Sequence, residues 1–362
     1  MSERRVLPDI RRSWTVSSET YHAPEHYRRQ CDRVFAHSWQ WVCDRGRVKA
    51  PGHVLPFTLL EGCLDEPLFL SCGQDGTTRC LSNVCTHRGA LVVEGEGHQH
   101  TLRCRYHGRR FTLEGGFHSM PEFEQVEGFP SACDDLPELP LETFGPLLFS
   151  GIDPSISFAD WIRPVQQLAG FLPFERAVFD AATAQDYTVA AHWALYVDNY
   201  LEEFHVPYVH ATSLQGLDYS AYRTECFEWG NLQLGIGRED EELFTLPEDH
   251  PHSGERVAAF YFWLFPATML NVYPWGLSLN VVEPLGPART RVRFRPYVWD
   301  AARRRGVGGD LHRVEMEDEE VVESVQRGVR SRLYDRGRFS PRREVGVHHF
   351  HTLLEQALAD PS

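Results

Sequence analysis

Two short segments of this chain carry paired cysteine and histidine. One reads Cys85-Thr-His87-Arg-Gly and the other Cys104-Arg-Tyr-His107-Gly. Thiolate sulfur and imidazole nitrogen both bind iron and zinc. Each segment therefore offers one soft and one borderline ligand on a tight loop. Two such loops facing each other can supply two Cys to one iron and two His to the other iron of a [2Fe–2S] cluster. Histidine in place of cysteine raises the reduction potential, so such a cluster accepts electrons from an ordinary reductase chain. The competing reading is a structural zinc site. Zinc fingers, however, pair Cys with Cys and His with His at other spacings. Mixed pairs followed by glycine favour the cluster. His98, His100 and His118 have no Cys partner at comparable spacing and read as loop histidines.

A second constellation reads Asp198-Asn-Tyr-Leu-Glu202-Glu-Phe-His205-Val-Pro-Tyr-Val-His210. On a helix, positions 198, 202 and 205 fall within about 60° of one another, so two carboxylates and one imidazole share a face. A solvated polar stripe is the alternative, but the intervening Leu195, Tyr196, Val197, Tyr200, Leu201 and Phe204 leave little room for an exposed helix. His210 lies just past Pro207, where a helix must break or kink and where the chain could swing back toward His205.

Two histidines need a third ligand. Val314, Val321, Val322, Val325, Val329 and Leu333 form an apolar stripe at helical spacing. Asp318 sits within that stripe, while Glu315, Glu317, Glu319 and Glu320 fall to the sides and are read as solvated. A carboxylate on a buried face is costly unless paired or metal-bound. A buried salt bridge to arginine is the bland account. The sharper one is a two-His-one-carboxylate triad of His205, His210 and Asp318, the ligand set of non-haem Fe(II) oxygenases, with three positions left open.

These residues need elements to hold them. Residues 24–38 read as a helix with Pro24 near its start. From 39 to 155, short apolar runs punctuated by Gly, Pro and Asp predict a small all-β unit holding the Cys/His loops. Beyond Asp153-Pro154, helices are predicted near 158–170, over 193–206 and over 310–333, with strands at Ala258–Phe265 and Arg289–Arg295. Strands followed by a long C-terminal helix give an α+β domain, the helix packed across an antiparallel sheet. Three segments follow: 1–38, an N-terminal helical segment packing on the catalytic domain; 39–155, the cluster domain; and 156–362, the catalytic domain.

The 362 residues, 42% of them hydrophobic, suffice for two cores. A net charge of −15, from 36 Lys+Arg against 51 Asp+Glu, repels phosphate backbones and argues against nucleic acid. It would welcome a cationic small molecule or a basic protein partner. No apolar run approaches the roughly 20 residues needed to span a bilayer. The N-terminus lacks the apolar core of a signal peptide, and Glu3 and Asp9 interrupt its arginines. A cytoplasmic setting is expected. The nine cysteines do not form the even framework of a small secreted domain. Cys31, Cys43, Cys63, Cys72, Cys80, Cys133 and Cys226 read as buried small hydrophobes.

The Cys/His pairs resemble the Rieske domain of aromatic-ring-hydroxylating oxygenase α subunits. The 198–210 segment, Met316-Glu-Asp-Glu-Glu-Val-Val-Glu-Ser-Val-Gln-Arg-Gly, His348-His-Phe-His and Asn280-Val-Val-Glu-Pro-Leu-Gly-Pro resemble the choline monooxygenase-like branch of that superfamily. The resemblance spans about residues 15–358. It implies an all-β Rieske [2Fe–2S] domain inserted in a helix-grip catalytic domain, and a homotrimer in which each cluster serves the neighbouring subunit's iron. It further implies O₂ as co-substrate, with electrons from NAD(P)H through a separate flavin/iron–sulfur reductase, with or without a ferredoxin. In the family an acidic residue three before the first iron histidine bridges the two centres. Here it is Glu202, giving a route His107, Glu202, His205. Many members carry Asp there, so the longer Glu implies a different bridge geometry. Asp198 and Asn199 match polar positions behind the iron ligands. Arg109 departs from the common Trp and is expected to alter a docking surface for the donor or the trimer contact.

What the resemblance implies for chemistry is insertion of one oxygen atom into a C–H bond of a small molecule. An N-methylated amine would give a hemiaminal that loses formaldehyde, and choline would give the aldehyde hydrate. A quaternary ammonium is held by aromatic faces. Candidates are Tyr261, Phe262, Trp263, Phe265, Tyr273, Trp275 and Tyr297, with Tyr273 and Trp275 preferred because they flank Pro274. An aromatic-ring hydroxylating dioxygenase or O-demethylase is the enzymatic alternative. A helix-grip ligand carrier with structural zinc is the non-catalytic one.

Overall fold

The computed structural model describes residues 4–210, 218–304 and 312–359. The chain forms two compact units, one of Ala36–Ser155 and one of Met1–Phe35 with Ile156–Ser362.

The first unit is built from short strands. They are β1 (Gln40–Asp44), β2 (His53–Leu59), β3 (Glu66–Cys72), β4 (Thr78–Ser82), β5 (Gly97–His98), β6 (Leu102–Arg103), β7 (Arg110–Phe111), β8 (Phe117–Ser119), β9 (Glu138–Leu139), β10 (Leu141–Phe144) and β11 (Leu147–Ser150). They form three antiparallel sheets in the orders β1-β11-β10, β5-β2-β3-β4-β9 and β6-β7-β8. The run Leu68-Phe-Leu does not alternate because both faces of β3 are covered, and all three residues are fully buried. Phe69, Leu81, Leu102, Phe111 and Leu113 make one core cluster that also takes in Cys85 and Cys104.

The second unit holds an eight-stranded antiparallel sheet. Its strands are β12 (Val178–Phe179), β13 (Gln185–Val189), β14 (Arg223–Phe227), β15 (Gly230–Ile236), β16 (Val257–Leu264), β17 (Thr268–Tyr273), β18 (Gly276–Gly286) and β19 (Arg289–Val298). The order is β12-β19-β18-β17-β16-β15-β14, with β13 also paired to β19. Every residue of β17 is buried, so the sheet is covered on both faces. The helices are α1 (Pro24–Gln30), α2 (Phe158–Ala169), α3 (Trp193–Tyr200), α4 (Val206–Val209), α5 (His312–Gly328) and α6 (Val345–Leu358). Among them α2 packs on β16, α3 on β18, α6 on β14 and β15, and α5 on α3 and β13. This is the expected α+β architecture. Among the described residues no helix is long and apolar enough to cross a membrane.

Several boundaries differ from expectation. The helix predicted over 24–38 is α-helical only to Gln30 and continues as a π-helical turn, Cys31–Phe35. The helix predicted over 193–206 stops at Tyr200 and restarts at Val206. Pro207 supplies the reason. It has no N–H for the Glu203 carbonyl, and its ring would clash with that carbonyl in a continuous helix. The helix predicted over 310–333 is seen from His312 to Gly328, while 310 and 311 lie outside the described residues. Leu333, counted in its apolar stripe, is 99% exposed, and Val325 is exposed too. The buried face is instead Glu315, Val322 and Gln326, joined past the helix end by Val329.

Candidate metal centres

The two Cys/His loops are near copies of each other in backbone. In the first, the Cys85 N–H donates to the Ala90 carbonyl at 2.9 Å and the Gly89 N–H to the Cys85 carbonyl at 3.0 Å. In the second, the Cys104 N–H donates to the Arg109 carbonyl at 2.9 Å and the Gly108 N–H to the Cys104 carbonyl at 3.1 Å. Both turns close on a glycine in the left-handed region, with φ of +75° at Gly89 and +76° at Gly108, which explains glycine at these points. The turns place Cys85 and Cys104 inside, 3% and 2% exposed. His87 is half-buried and His107 exposed, with their Nδ1 atoms 3.1 Å apart. Burial pushes the Cys85 thiol up, and the adjacent Cys104 thiol adds to this. Burial, and then the neighbouring His107, Arg88 and Arg109, hold His87 toward its neutral form. Adjacent sulfurs on the inner side and adjacent imidazoles on the outer side fit a cluster with one Cys₂ iron and one His₂ iron.

Arg109 is not on a docking surface. It is 2% exposed. Its Nη2 donates to both the backbone carbonyl and Oδ1 of Asp134, at 3.0 and 2.8 Å. Its guanidinium carbon lies 5.0–5.6 Å from the rings of Phe111, Phe117 and Phe129. A charged donor with a carboxylate partner and three ring faces can be buried where a solvated one cannot.

In the second unit His205, His210 and Asp318 converge, with one ligand atom from each lying within 4.8 Å of the others. His205 Nε2 is 3.5 Å and His210 Nε2 2.9 Å from Asp318 Oδ1. These separations match roughly 3 Å between neighbouring ligands about 2.1 Å from a shared ion. The local fold explains the convergence. Tyr200, at the end of α3, is pinned to the sheet: its OH donates to Asn271 Oδ1 at 2.5 Å and its carbonyl accepts from Gln233 at 2.7 Å. The chain turns at Leu201, whose carbonyl passes so near Gly346 of α6 that a Cβ there would lie 2.5 Å away. His205 then caps α4, and His210 ends it.

Both histidines are held by carboxylates on their far nitrogens. Glu202 Oε1 lies 2.5 Å from His205 Nδ1, and its Oε2 accepts from the His205 backbone N–H at 3.1 Å. Glu317 Oε2 lies 2.8 Å from His210 Nδ1. Asn199 donates to Asp318 Oδ1 at 2.7 Å. Carboxylates behind histidine ligands fix the tautomer and the ring direction. Burial works against charge on His210, but the hydrogen bonds to Asp318 and Glu317 outweigh it and raise its pKa.

Asp198 does not share a face with Glu202 and His205, because α3 ends between them. Its carboxylate accepts from Tyr21 OH at 2.8 Å and pairs with His351 Nε2 at 2.9 Å. The flanking acids of α5 also depart from expectation. Glu315 is 4% exposed, with Tyr196 OH 2.8 and 2.9 Å from its two oxygens. Glu317 is half-buried against His210. The sequence signal for Glu317 was hidden by Arg313, whose Nε donates to it at 3.0 Å one helical turn away and mimics a surface pair. Among the other cysteines, Cys31, Cys43, Cys72 and Cys80 are buried, but Cys63 is half-buried and Cys133 and Cys226 are exposed.

Tyr273 and Trp275 stack with centroids 5.1 Å apart and both are buried. Trp275 also carries the Arg304 guanidinium 4.8 Å from its ring centre. A cation already occupies that indole. Tyr261 meets Tyr273 edge-on at 6.0 Å and stacks with Tyr222 at 6.3 Å. Tyr222 is close enough to Glu203 and Glu202 to feel their charge.

Thiol and imidazole loops in one unit and a His/His/Asp site in the other define a Rieske-type non-haem iron oxygenase, an oxidoreductase with a [2Fe–2S] cluster and a mononuclear iron. Residues 38–130 match the Rieske [2Fe–2S] domain, and residues 174–360 match the ring-hydroxylating alpha subunit (catalytic domain). The chain belongs to the ring-hydroxylating alpha subunit family. It is 29% identical to the chloroplastic choline monooxygenase of Arabidopsis thaliana over 96% of this chain and 84% of that protein. It is 28% identical to the carnitine monooxygenase oxygenase subunit of Escherichia coli K12 over 96% and 95%. The fold is shared with the quaternary ammonium Rieske monooxygenase CntA (TM-score 0.77, 23% identity, 99% of this chain and 100% of that one). It is also shared with naphthalene 1,2-dioxygenase from Rhodococcus (TM-score 0.72, 18% identity, 96% and 95%). The zinc-carrier alternative does not survive the two domain matches.

Proposed function

We propose that this protein is the oxygenase component of a monooxygenase acting on a quaternary ammonium or N-methylated amine. The observation that carries the substrate class is a line of tyrosines, Tyr222 and Tyr261 half-buried and Tyr273 buried, continuing from the segment that holds Glu202. Electron-rich ring faces hold a permanent cation that cannot accept hydrogen bonds. The full-length likeness to choline and carnitine monooxygenases supports the same class, as does the net charge of −15. Trp275, already under Arg304, is a weaker wall than Tyr273.

In this reading Cys85, His87, Cys104 and His107 hold the cluster, and His205, His210 and Asp318 hold the mononuclear iron. When bound, the iron supplies O₂ activation, with electrons drawn from the cluster. Glu202 keeps the proton on His205 Nδ1, so Nε2 presents its lone pair to the metal, and Glu317 does the same for His210. Overall, O₂, two electrons and two protons convert substrate C–H to C–OH and release water. His107 is exposed in the single chain, which suits delivery to a neighbouring subunit through its Glu202, and hence a homotrimer. The electrons come from NAD(P)H through a separate flavin/iron–sulfur reductase. Seven cysteines outside the cluster loops, none of them in a disulfide, suit a reducing cytoplasm.

The test is oxygen consumption with a generic reductase against choline, carnitine, other quaternary amines and aromatic acids, with products read by mass spectrometry. Oxygen uptake coupled to a hydroxylated or demethylated amine is expected. Coupled turnover of aromatic acids alone would overturn the substrate class.

A further inference from the structure

Thr86 lies between the two candidate ligands of the first cluster loop, and Arg109 follows the glycine that closes the second. Both converge on one residue far from either loop. The Asp134 backbone carbonyl accepts from Thr86 Oγ1 at 2.8 Å and from Arg109 Nη2 at 3.0 Å. The Asp134 carboxylate takes a second contact from Arg109 at 2.8 Å, and its other oxygen accepts the Ser131 N–H at 2.8 Å. The Arg109 backbone carbonyl meanwhile closes its own loop onto Cys104. So one hydroxyl and one guanidinium, the latter's residue 2% exposed, tie the two loops to a single anchor. The anchored loops carry what are, in the reading above, the ligands of both irons.

We propose that Arg109 and Asp134 form a clamp that positions the cluster loops and sets the cluster's reduction potential, Arg109 raising it and Asp134 lowering it. The inference rests on the Rieske reading. Reducing the cluster adds a negative charge. A fixed cation nearby stabilises that charge and a fixed anion opposes it, and both act strongly where water is excluded. Hydrogen bonding and net charge around a cluster are known determinants of its potential.

The experiment is a potentiometric titration of the purified full chain, followed by the electron paramagnetic resonance of the reduced cluster. Arg109→Met removes the cation and leaves the Asp134 anion, so the potential should fall, by roughly tenfold in the reduction equilibrium, or about 59 mV for one electron. Asp134→Asn keeps the backbone acceptor and removes the anion, so the potential should rise. Arg109→Lys keeps the charge and should stay near the parent potential. A purely structural role would move both neutralising variants the same way or not at all, and either result overturns the proposal. If Arg109→Met does not hold a cluster, Asp134→Asn decides, and an unchanged potential there overturns it. A parent protein with no cluster signal would instead sink the Rieske reading itself.

Discussion

The Glu317 carboxylate lies 2.8 Å from Nδ1 of His210, on the side of the ring opposite the nitrogen that faces Asp318. The imidazole is therefore held from behind while its other nitrogen points at Asp318, where the proposed iron would bind. Replacing Glu317 by Ala should weaken iron retention about 10–100-fold, as other losses behind a metal histidine do. Glu317→Gln, which keeps an acceptor oxygen, should lose less. Iron release into a chelator, timed by a colorimetric iron assay, measures it. The visible spectrum of the cluster should not change.

Glu202 makes two contacts with His205, to the ring and to the backbone N–H. Glu202→Gln preserves the shape and removes the charge. Iron content should hold, while single-turnover oxidation of the reduced cluster by substrate and O₂ slows by about 10–100-fold. If turnover persists at the parent rate, Glu202 carries no electron.

Glu315 is buried, and burial, followed by the charges of Asp318 and Glu319, lifts its carboxyl well above the usual range despite the Tyr196 hydrogen bonds. Burial thus favours its neutral form. Glu315→Gln should then leave thermal stability close to parent. Tyr196→Phe should cost about 1–3 kcal/mol by stripping a partner from a buried polar group. Melting curves of both variants check this. A Gln variant as unstable as Glu315→Ala would mean that the acid is charged.

His192 is fully buried, and burial alone pushes its pKa down to about 3. Its Nδ1 accepts from the Ala194 N–H at 3.2 Å and caps α3. The unfolded state takes up a proton near the ordinary pKa of 6.5, and the folded state does not until about 3. Stability is thus full above about pH 6.5 and is lost as the pH falls toward 3, by up to about 1.4 kcal/mol per unit. Urea unfolding between pH 7 and 5 should show this slope. His192→Asn, which keeps a capping oxygen, should flatten it.

The candidate ligands stood out in the sequence because metal chemistry imposes local spacing: a cysteine and histidine must share one turn, and His205 and His210 must flank a break. Asp318 stood out because a lone acid among valines is anomalous on any helix. What surrounds these residues was hidden for a different reason. Glu315, Glu317 and Arg109 look solvated in sequence, since charge beside charge usually is. Their partners, Tyr196, His210 and Asp134, are distant in sequence and are brought close only by the fold. The end of α3 at Tyr200 was missed because the proline acts on the carbonyl four residues before it, so the break precedes Pro207 rather than following it.

The central claim is that two separate ligand sets hold two iron centres. Metal and acid-labile sulfide counts on the parent and on Asp318→Ala test it most directly. The parent should hold about three irons and about two sulfides per chain, and the variant should lose about one iron while keeping its sulfide and cluster absorbance. Loss of iron and sulfide together in Asp318→Ala, or a colourless parent carrying zinc without sulfide, would contradict it.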